Sequence, residues 1–294
     1  MSNAAQSFSK TDGLIRDRSR PREIFDIVMT GLSGACIVIT LIPLFAVLLY
    51  VLFKGASQLG LDLFTKLPPA AGQTEGGIAS AILGTIMVVA IATLIAVPFG
   101  VLGAIFLSEF GRGKIVESIR FATNVLSGVP SIIAGVFVYS LVVLAVGQFS
   151  VMAGAIALAV LMLPTIVRTT DEALNIVPQP IRSASVGLGA SNYQTALQVV
   201  LPAALPAILT GVTLAIARAA GETAPLLFTV VYTNNWPRGP FAPTLPSLAY
   251  LIYEFARGFD KVLQEFAWAA SLVLVLLVLL TSILARWATR QSDF

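Results

Sequence analysis

The stretch "ARAAGETAP" (217–225) places Arg218 and Glu222 four residues apart, and they are the only charged residues between Ala203 and Tyr232. An arginine at the centre of a bilayer costs about 2.5–3.5 kcal/mol on insertion scales. Positions i and i+4 of a helix share a face, so the two side chains can pair and offset part of that cost. Buried ion pairs add little net stability. Two readings remain: a salt bridge that fixes helix packing, or a guanidinium station for an anion. A guanidinium holds oxyanions bidentately. Glu222 would keep the arginine in place while the station is empty and weaken its grip when filled, which suits transport because a station must also release. Thr223 can donate its hydroxyl to the anion or back to a helix carbonyl. Arg168, near the end of another apolar run, is either an exit-side anion contact or an interfacial anchor. In "LSGVPSIIAG" (126–135), the density of glycine, proline and serine reads either as a kink or as a broken helix. In the second case, backbone N–H groups near Ser131 would face a cavity and be available to an anion.

Other chemistry is excluded by composition. The chain has no histidine and one cysteine, Cys36, so histidine catalysis, Cys/His zinc sites and an intrachain disulfide are ruled out. No paired acids lie in the apolar runs, and an intramembrane hydrolase has nothing to work with. No metal or cofactor is expected. No Gly-rich loop ending in Gly-Lys-Ser/Thr is present, so nucleotide chemistry would have to reside on another chain.

The elements that must position these residues are membrane spans. Of 294 residues, 57% are hydrophobic and 11% charged, against roughly 45–50% and about 25% in soluble domains. Six apolar segments, about 27–53, 78–108, 121–146, 151–170, 203–232 and 266–288, are each near the length that crosses a bilayer. Arg16, Arg18, Arg20 and Arg22 precede the first. That run far exceeds the core of a cleavable signal, so it reads as a permanent span preceded by an N-terminal segment, 1–26. Lysines and arginines on alternate connections give the orientation. Lys10, Arg16, Arg18, Arg20, Arg22, Arg112, Lys114, Arg120, Arg182, Arg286 and Arg290 fall on one side, and Lys54, Lys66, Arg238, Arg257 and Lys261 on the other. Both termini and the long connection 171–202 are therefore expected in the cytoplasm. The connection 233–265, with Trp236, Pro237, Phe241, Tyr250 and Tyr253, faces outward. Asp171 and Glu172 read as solvated loop charges.

The connection 171–202 has its own pattern. Pro178 and Pro180 end the preceding helix, and Ile181–Leu188 can form a short amphipathic helix. Gly189 supplies a turn, and Ser191 is placed to cap a second helix over Tyr193–Leu201. A helix–glycine–helix protrusion on the cytoplasmic face reads as a docking element. The expected fold is an all-α membrane protein of six transmembrane helices carrying this element.

This "GLGAS…QT…V.LP..LP" pattern resembles the cytoplasmic loop of permease subunits of bacterial ABC importers (the type I fold), which seats in a groove of the ATPase. Those loops carry Glu-Ala-Ala where this chain has Ser183-Ala184-Ser185, followed here by Gly189, Ala190 and Ser191. The acidic group for a salt bridge to the ATPase is missing, while the turn glycine is kept. "LSGVPSIIAGVFVYS" (126–140), "LPTIVRTTDEAL" (163–174) and above all "LAIARAAGETAPLLFT" (214–229) are similar to the PstA-type permease family of the high-affinity phosphate importer, over most of the chain from about residue 78. The resemblance implies a second homologous permease subunit, two ATPase subunits that hold ATP and Mg, and an extracytoplasmic phosphate-binding protein. It also implies residence in the bacterial inner membrane among lipids, and no nucleic-acid partner. Phosphate is an anion at neutral pH and suits the arginine station. Permeases for sulfate, molybdate or phosphonate would share the fold and the docking element. A proton-coupled secondary transporter working through Glu222 is disfavoured by the docking loop and by the lack of an inverted repeat.

Overall fold

The structure is a computed structural model and describes residues 21–290, without the side chains of 21–23, 286 and 288–290. The basic segment 1–20, with Lys10, Arg16, Arg18 and Arg20, lies outside the described residues, as do the side chains of Arg22, Arg286 and Arg290. Contacts divide the chain after Tyr50. The described part of the first unit is helical throughout and belongs to α1 (Pro21–Ala56), whose last turn lies in the second unit. The stretch Ile24–Ala56 is long and apolar enough to cross a bilayer and tolerates one internal proline, Pro43.

The second unit is built round a central helix, α7 (Val151–Ile176). Before it come α2 (Leu61–Thr65), α3 (Ala79–Ile105), α4 (Lys114–Ser127), α5 (Ser131–Val138) and α6 (Leu144–Val146). After it come α8 (Gln179–Gly187), α9 (Asn192–Gln194), α10 (Leu201–Gly221), α11 (Ala224–Thr229), α12 (Leu248–Arg257) and α13 (Lys261–Arg290). Three π turns run on from these helices without a break. Phe106–Phe110 prolongs α3, Tyr139–Val143 joins α5 to α6, and Thr195–Val200 joins α9 to α10. The expected helical architecture holds, apart from a two-residue parallel pairing of β1 (Val231–Tyr232) with β2 (Thr244–Leu245).

Helix α7 is central because much of its surface is small. Ala153, Gly154, Ala155, Ala157 and Ala159 let neighbouring backbones approach, and α3 and α10 pack against it. Leu158, Ile166 and Leu174 are fully buried there. A Cβ on Gly100 of α3 would lie 2.6 Å from Cγ2 of Ile166. Ser150 caps α7 by accepting from the Ala153 N–H at 3.1 Å. The next two N–H groups, of Val151 and Met152, donate to the carbonyls of Ala242 and Pro240 at 2.9 and 2.7 Å. These first-turn donors have no partner inside their own helix, and here they hold the 230–247 segment over one end of the bundle. The chain enters α8 at the other end. Helix α10 runs antiparallel to α7: Gly211 faces Thr169, and Arg218 faces Leu161, Met162 and Thr165.

Two of the six predicted spans are not single helices. Segment 121–146 is a bent pair, Lys114–Ser127 followed by Ser131–Val146, turning through 106°. This exceeds what one proline kink explains, and of the two sequence readings the broken helix is the one observed. Segment 203–232 is apolar apart from the Arg218–Glu222 pair and stays so to its end, yet its helix, which starts at Asn192, stops at Gly221. Pro225 has no N–H for the Gly221 carbonyl, and in a continued helix its ring would clash with that carbonyl. The fourth predicted span, 151–170, falls short in the other direction, because α7 continues to Ile176.

Asp260 sits just before α13. Its carboxylate accepts from the Gly72 N–H at 3.1 Å and from the Val262 N–H at 2.9 Å. These donors, Gly72 foremost, hold its carboxyl below the usual carboxylate range. A depressed folded pKa gives stability that is present above the unfolded pKa and lost as pH falls through the folded one. Docking of the loop at Gly72 should therefore persist at neutral pH and loosen only below about pH 4, whereas Asp260→Asn should loosen it already at neutral pH. Hydrogen exchange at the Gly72 amide, corrected for its intrinsic rate, reads both effects.

Candidate functional site

Arg218 lies in the last turn of α10, where the helix dipole favours a cation. Glu222 is the first residue beyond that helix and has extended backbone, with φ −76° and ψ 126°. Arg218 Nε is 3.6 Å from Glu222 Oε1, a charge contact too long for a good hydrogen bond. The i,i+4 pairing expected from sequence is present, but at a helix end and not in mid-helix. The glutamate side chain is 16% exposed and the arginine 55%. The adjoining cavity, lined by Leu161, Met162 and Thr165 of α7, holds only about 10 Å³. This chain therefore does not enclose the pair, and the guanidinium is on its open side.

The other predicted residues are placed as follows. The Thr223 hydroxyl does not turn back to a carbonyl of its own helix but donates to the Ala249 carbonyl of α12 at 3.3 Å, tying the helix break to the 230–260 segment. Ser131 opens α5 directly after Pro130. One of the N–H groups expected to be free near it, that of Ile133, donates to the Pro130 carbonyl at 3.0 Å. Among the described residues no hydrogen bond or ion pair joins Ser131 to Arg218 or Glu222. The connection is one of packing: α5 lies on α11, so closely that a Cβ on Gly135 would be 2.8 Å from Cα of Pro225.

Arg168 pairs with Glu172 at 3.0 Å along α7, both side chains well exposed. The pair lines a cavity of about 410 Å³ together with Arg120, Thr123 and Asn124 of α4 and Asp171. Asp171 is not a solvated loop charge. It lies within α7, is largely buried and accepts from Arg120 at 3.0 Å. Since Thr169 faces Gly211, Arg168 stands about seven residues below Arg218 along α10, or about 10 Å. Two arginine–carboxylate pairs thus occupy successive levels along α7, the upper beside α10 and the lower beside α4. Arg120 carries no functional signal in the sequence beyond its charge.

At the far end of α7 lies the helix–glycine–helix element. Pro178 precedes α8, while Pro180 sits in its first turn, where the missing N–H is harmless. Gly189 takes φ +92°, a region costly for any residue with a Cβ. Ser191 and Gln194 form a reciprocal capping box at the start of α9. The second helix does not end at Leu201 as expected, because α9 continues through the π turn into α10. Ser183 and Ala184 are exposed, and Leu188 at the tip is 90% exposed. Ser185 is turned inward, with its hydroxyl 2.9 Å from that of Thr195, and its carbonyl accepts from the Ala190 N–H at 3.2 Å. Arg182 also faces inward, pairing with Glu109 and donating to the Leu174 carbonyl at 2.7 Å. In the 233–265 segment, Trp236, Phe241 and Tyr253 are exposed. Tyr250 is buried against Tyr232, with ring centroids 5.2 Å apart, and is not a surface residue. Phe259, which the sequence reading passed over, is fully exposed.

Five helices long and apolar enough to cross a membrane, α7 among them, and one bent pair define a multi-pass membrane protein. The family model described as "Binding-protein-dependent transport system inner membrane component" matches residues 96–292. The phosphate transport system permease protein PstA of Haemophilus influenzae is 40% identical over 266 residues, covering 90% of this chain and 94% of that protein. PstA 1 of Mycobacterium tuberculosis is 36% identical over 261 residues, covering 87% and 86%. Among solved structures, the inward-facing MetNI methionine ABC transporter gives a TM-score of 0.63 at 20% identity over 74% of this chain and 96% of that one. A bacterial ABC transporter involved in alginate import gives 0.58 at 12% identity over 93% and 100%. The chain belongs to the family of binding-protein-dependent transport inner-membrane components and, within it, to the group that these PstA permeases represent.

Proposed function

We propose that this chain is one of two permease subunits of an ATP-driven importer of inorganic phosphate in the bacterial inner membrane, with both termini in the cytoplasm. The observation that carries the reading is the Arg218–Glu222 pair. An arginine in the last turn of a membrane helix, more than half exposed on its own chain, must face something polar or be covered by another subunit, because lipid would impose the cost of a bare charge. A homologous second permease opposite it would close a pathway between the two chains, and the open guanidinium would then bind the oxygens of a passing anion. Arg168, with Arg120 beside it, would be the next station toward the cytoplasm. Thr223 ties the helix break to α12, and Ser131 opens the helix α5 whose Gly135 packs on Pro225 beside the upper station. Capture from outside is assigned to an extracytoplasmic phosphate-binding protein meeting the exposed Trp236, Phe241, Tyr253 and Phe259. Energy comes from two ATPase subunits docked on the element formed by Ser183, Ala184, Ser185, Gly189, Ala190 and Ser191. ATP and Mg are bound there and not by this chain. The choice of phosphate rests on the names of the relatives together with the fit of an oxyanion to the arginine.

Labelled uptake in cells lacking their own permease, supplied with this chain and its presumed partners, tests the assignment. Uptake of phosphate that depends on ATP and is not competed by sulfate is the expected result. Entry of sulfate or molybdate in place of phosphate would move the chain to a sister importer.

A further inference from the structure

Helix α8 carries a single charged residue, Arg182, and the structure turns it away from the surface on which a partner would dock. We infer that the Arg182–Glu109 pair is the transmission contact of this element: it fastens α8 to the end of α3 and to α7, so that movement imposed on α8 becomes movement of α7, which carries Arg168 and packs against α10. The inference rests on the proposed role of α8 as the ATPase docking element.

Three observations carry it. First, the pair is the most enclosed of the ion pairs among the described residues, with side chains 15% and 11% exposed. The pairs Arg168–Glu172, Arg218–Glu222 and Arg257–Glu254 are local, three or four residues apart, and hold one segment to itself, while Arg120–Asp171 joins α4 to α7 through an arginine that is 46% exposed. Arg182 and Glu109 are 73 residues apart and join separate elements. Second, one guanidinium reaches two elements besides its own. Nη1 meets Glu109 in the π turn that ends α3, and Nη2 donates to the Leu174 carbonyl in the last turn of α7. That fork is planar and fixed in direction, so it resists sliding in a way that apolar contacts alone do not. Third, the same π turn reaches the next helix, because Phe110 lies 6.3 Å from Tyr193 of α9, between ring centroids, and Ser185 of α8 touches Thr195 beyond it. A π turn takes an extra residue and rotates the side chains that follow, and here it aims successive residues, Glu109 and Phe110, at α8 and α9. The exposed face of the element is left uncharged, with Ile181, Ser183, Val186 and Leu188 outward. Binding to a partner falls to that face, and transmission falls to the buried fork.

The test uses the whole complex in proteoliposomes, with the binding protein inside the substrate compartment and phosphate uptake and ATP hydrolysis measured on the same vesicles. Wild-type uptake of phosphate checks the underlying assignment, independently of any variant. Arg182→Gln and Glu109→Gln should each retain the ATPase on co-purification and hydrolyse ATP within about two-fold of wild type, while phosphate moved per ATP falls at least about ten-fold, the size of a typical coupling between sites. Arg182→Lys, which keeps the pair with Glu109 and gives up the fork to Leu174, should fall between. Uptake and hydrolysis declining together at unchanged ratio would overturn the inference, since the pair would then serve folding or docking. Loss of the ATPase on purification would overturn it equally, and so would an unchanged ratio in Glu109→Gln at full activity.

Discussion

Arg218→Gln should reduce ATP-driven phosphate uptake by at least about 100-fold at normal membrane levels. Opposite charges about 4 Å apart at an effective dielectric near 20 interact by about 4 kcal/mol, and each 1.4 kcal/mol is about a factor of ten. Glutamine is shorter and keeps hydrogen-bonding atoms, but it removes that attraction. Folding should be nearly untouched, because the pair with Glu222 is long, at 3.6 Å, and the arginine is more than half exposed, a situation in which ion pairs contribute about 0–1 kcal/mol. Arg218→Lys keeps the charge without the fork and should be intermediate. Glu222→Gln leaves the guanidinium unopposed, so the anion is held longer, and uptake should fall by about ten-fold through slower release. Labelled uptake normalised to the amount of assembled complex distinguishes these. Arg218→Gln with uptake within two-fold of wild type would reduce the pair to helix packing.

Gly84→Ala should be the most destabilising small substitution in the bundle. A Cβ at Gly84 of α3 would fall inside the contact distance of the Pro246 carbonyl oxygen. This is backbone, and it has little room to yield. Two residues on, the Leu248 N–H donates to Thr85 Oγ1 at 2.8 Å, and Ser247 caps α12 by accepting from the Tyr250 N–H at 3.3 Å. Alanine gains about 1 kcal/mol in helix propensity over glycine, while overpacking at a rigid contact costs up to about 3 kcal/mol. The net expectation is a loss of about 2 kcal/mol, seen as a lower midpoint in detergent unfolding and as faster proteolysis of 233–247. A raised midpoint would show that propensity wins and that the 244–248 segment shifts freely.

The long spans were legible because apolarity and length speak directly for them. Segment 78–108, but for its first residue, and segment 266–288 fall within continuous helices, Ala79–Phe110 and Lys261–Arg290. Hydropathy failed where polarity and helix end do not coincide. Helix α7 runs past the apolar limit at 170 because Asp171 and Glu172 find cationic partners in Arg120 and Arg168. Helix α10 stops inside an apolar run because of Pro225, and a sliding average does not weigh one missing N–H. Gly128 and Pro130 announced a break in the third span but not its 106° angle. At the site, the spacing of Arg218 and Glu222 was enough to pair them. The cytoplasmic glycine turn and the Ser191 cap were equally plain, since each depends on local backbone chemistry. Contacts between distant segments left no trace in periodicity. Nothing in "FLSEF" says that Glu109 will meet Arg182, and nothing near Thr223 points to Ala249. The three π turns were likewise unreadable, because one extra residue in a helix leaves composition unchanged.

The open side of Arg218 also bears on how such a chain survives before it is assembled. Alone in the bilayer, it would present a half-exposed guanidinium to acyl chains at a cost of a few kcal/mol, a large share of the 5–15 kcal/mol that keeps a typical domain folded. An orphan copy would therefore be a marked substrate for membrane proteases, and matched synthesis of its counterpart would act as its chaperone. The residue that a passing anion would meet is the same one that makes an unpartnered subunit short-lived, so a cell would clear incomplete channels without a separate signal.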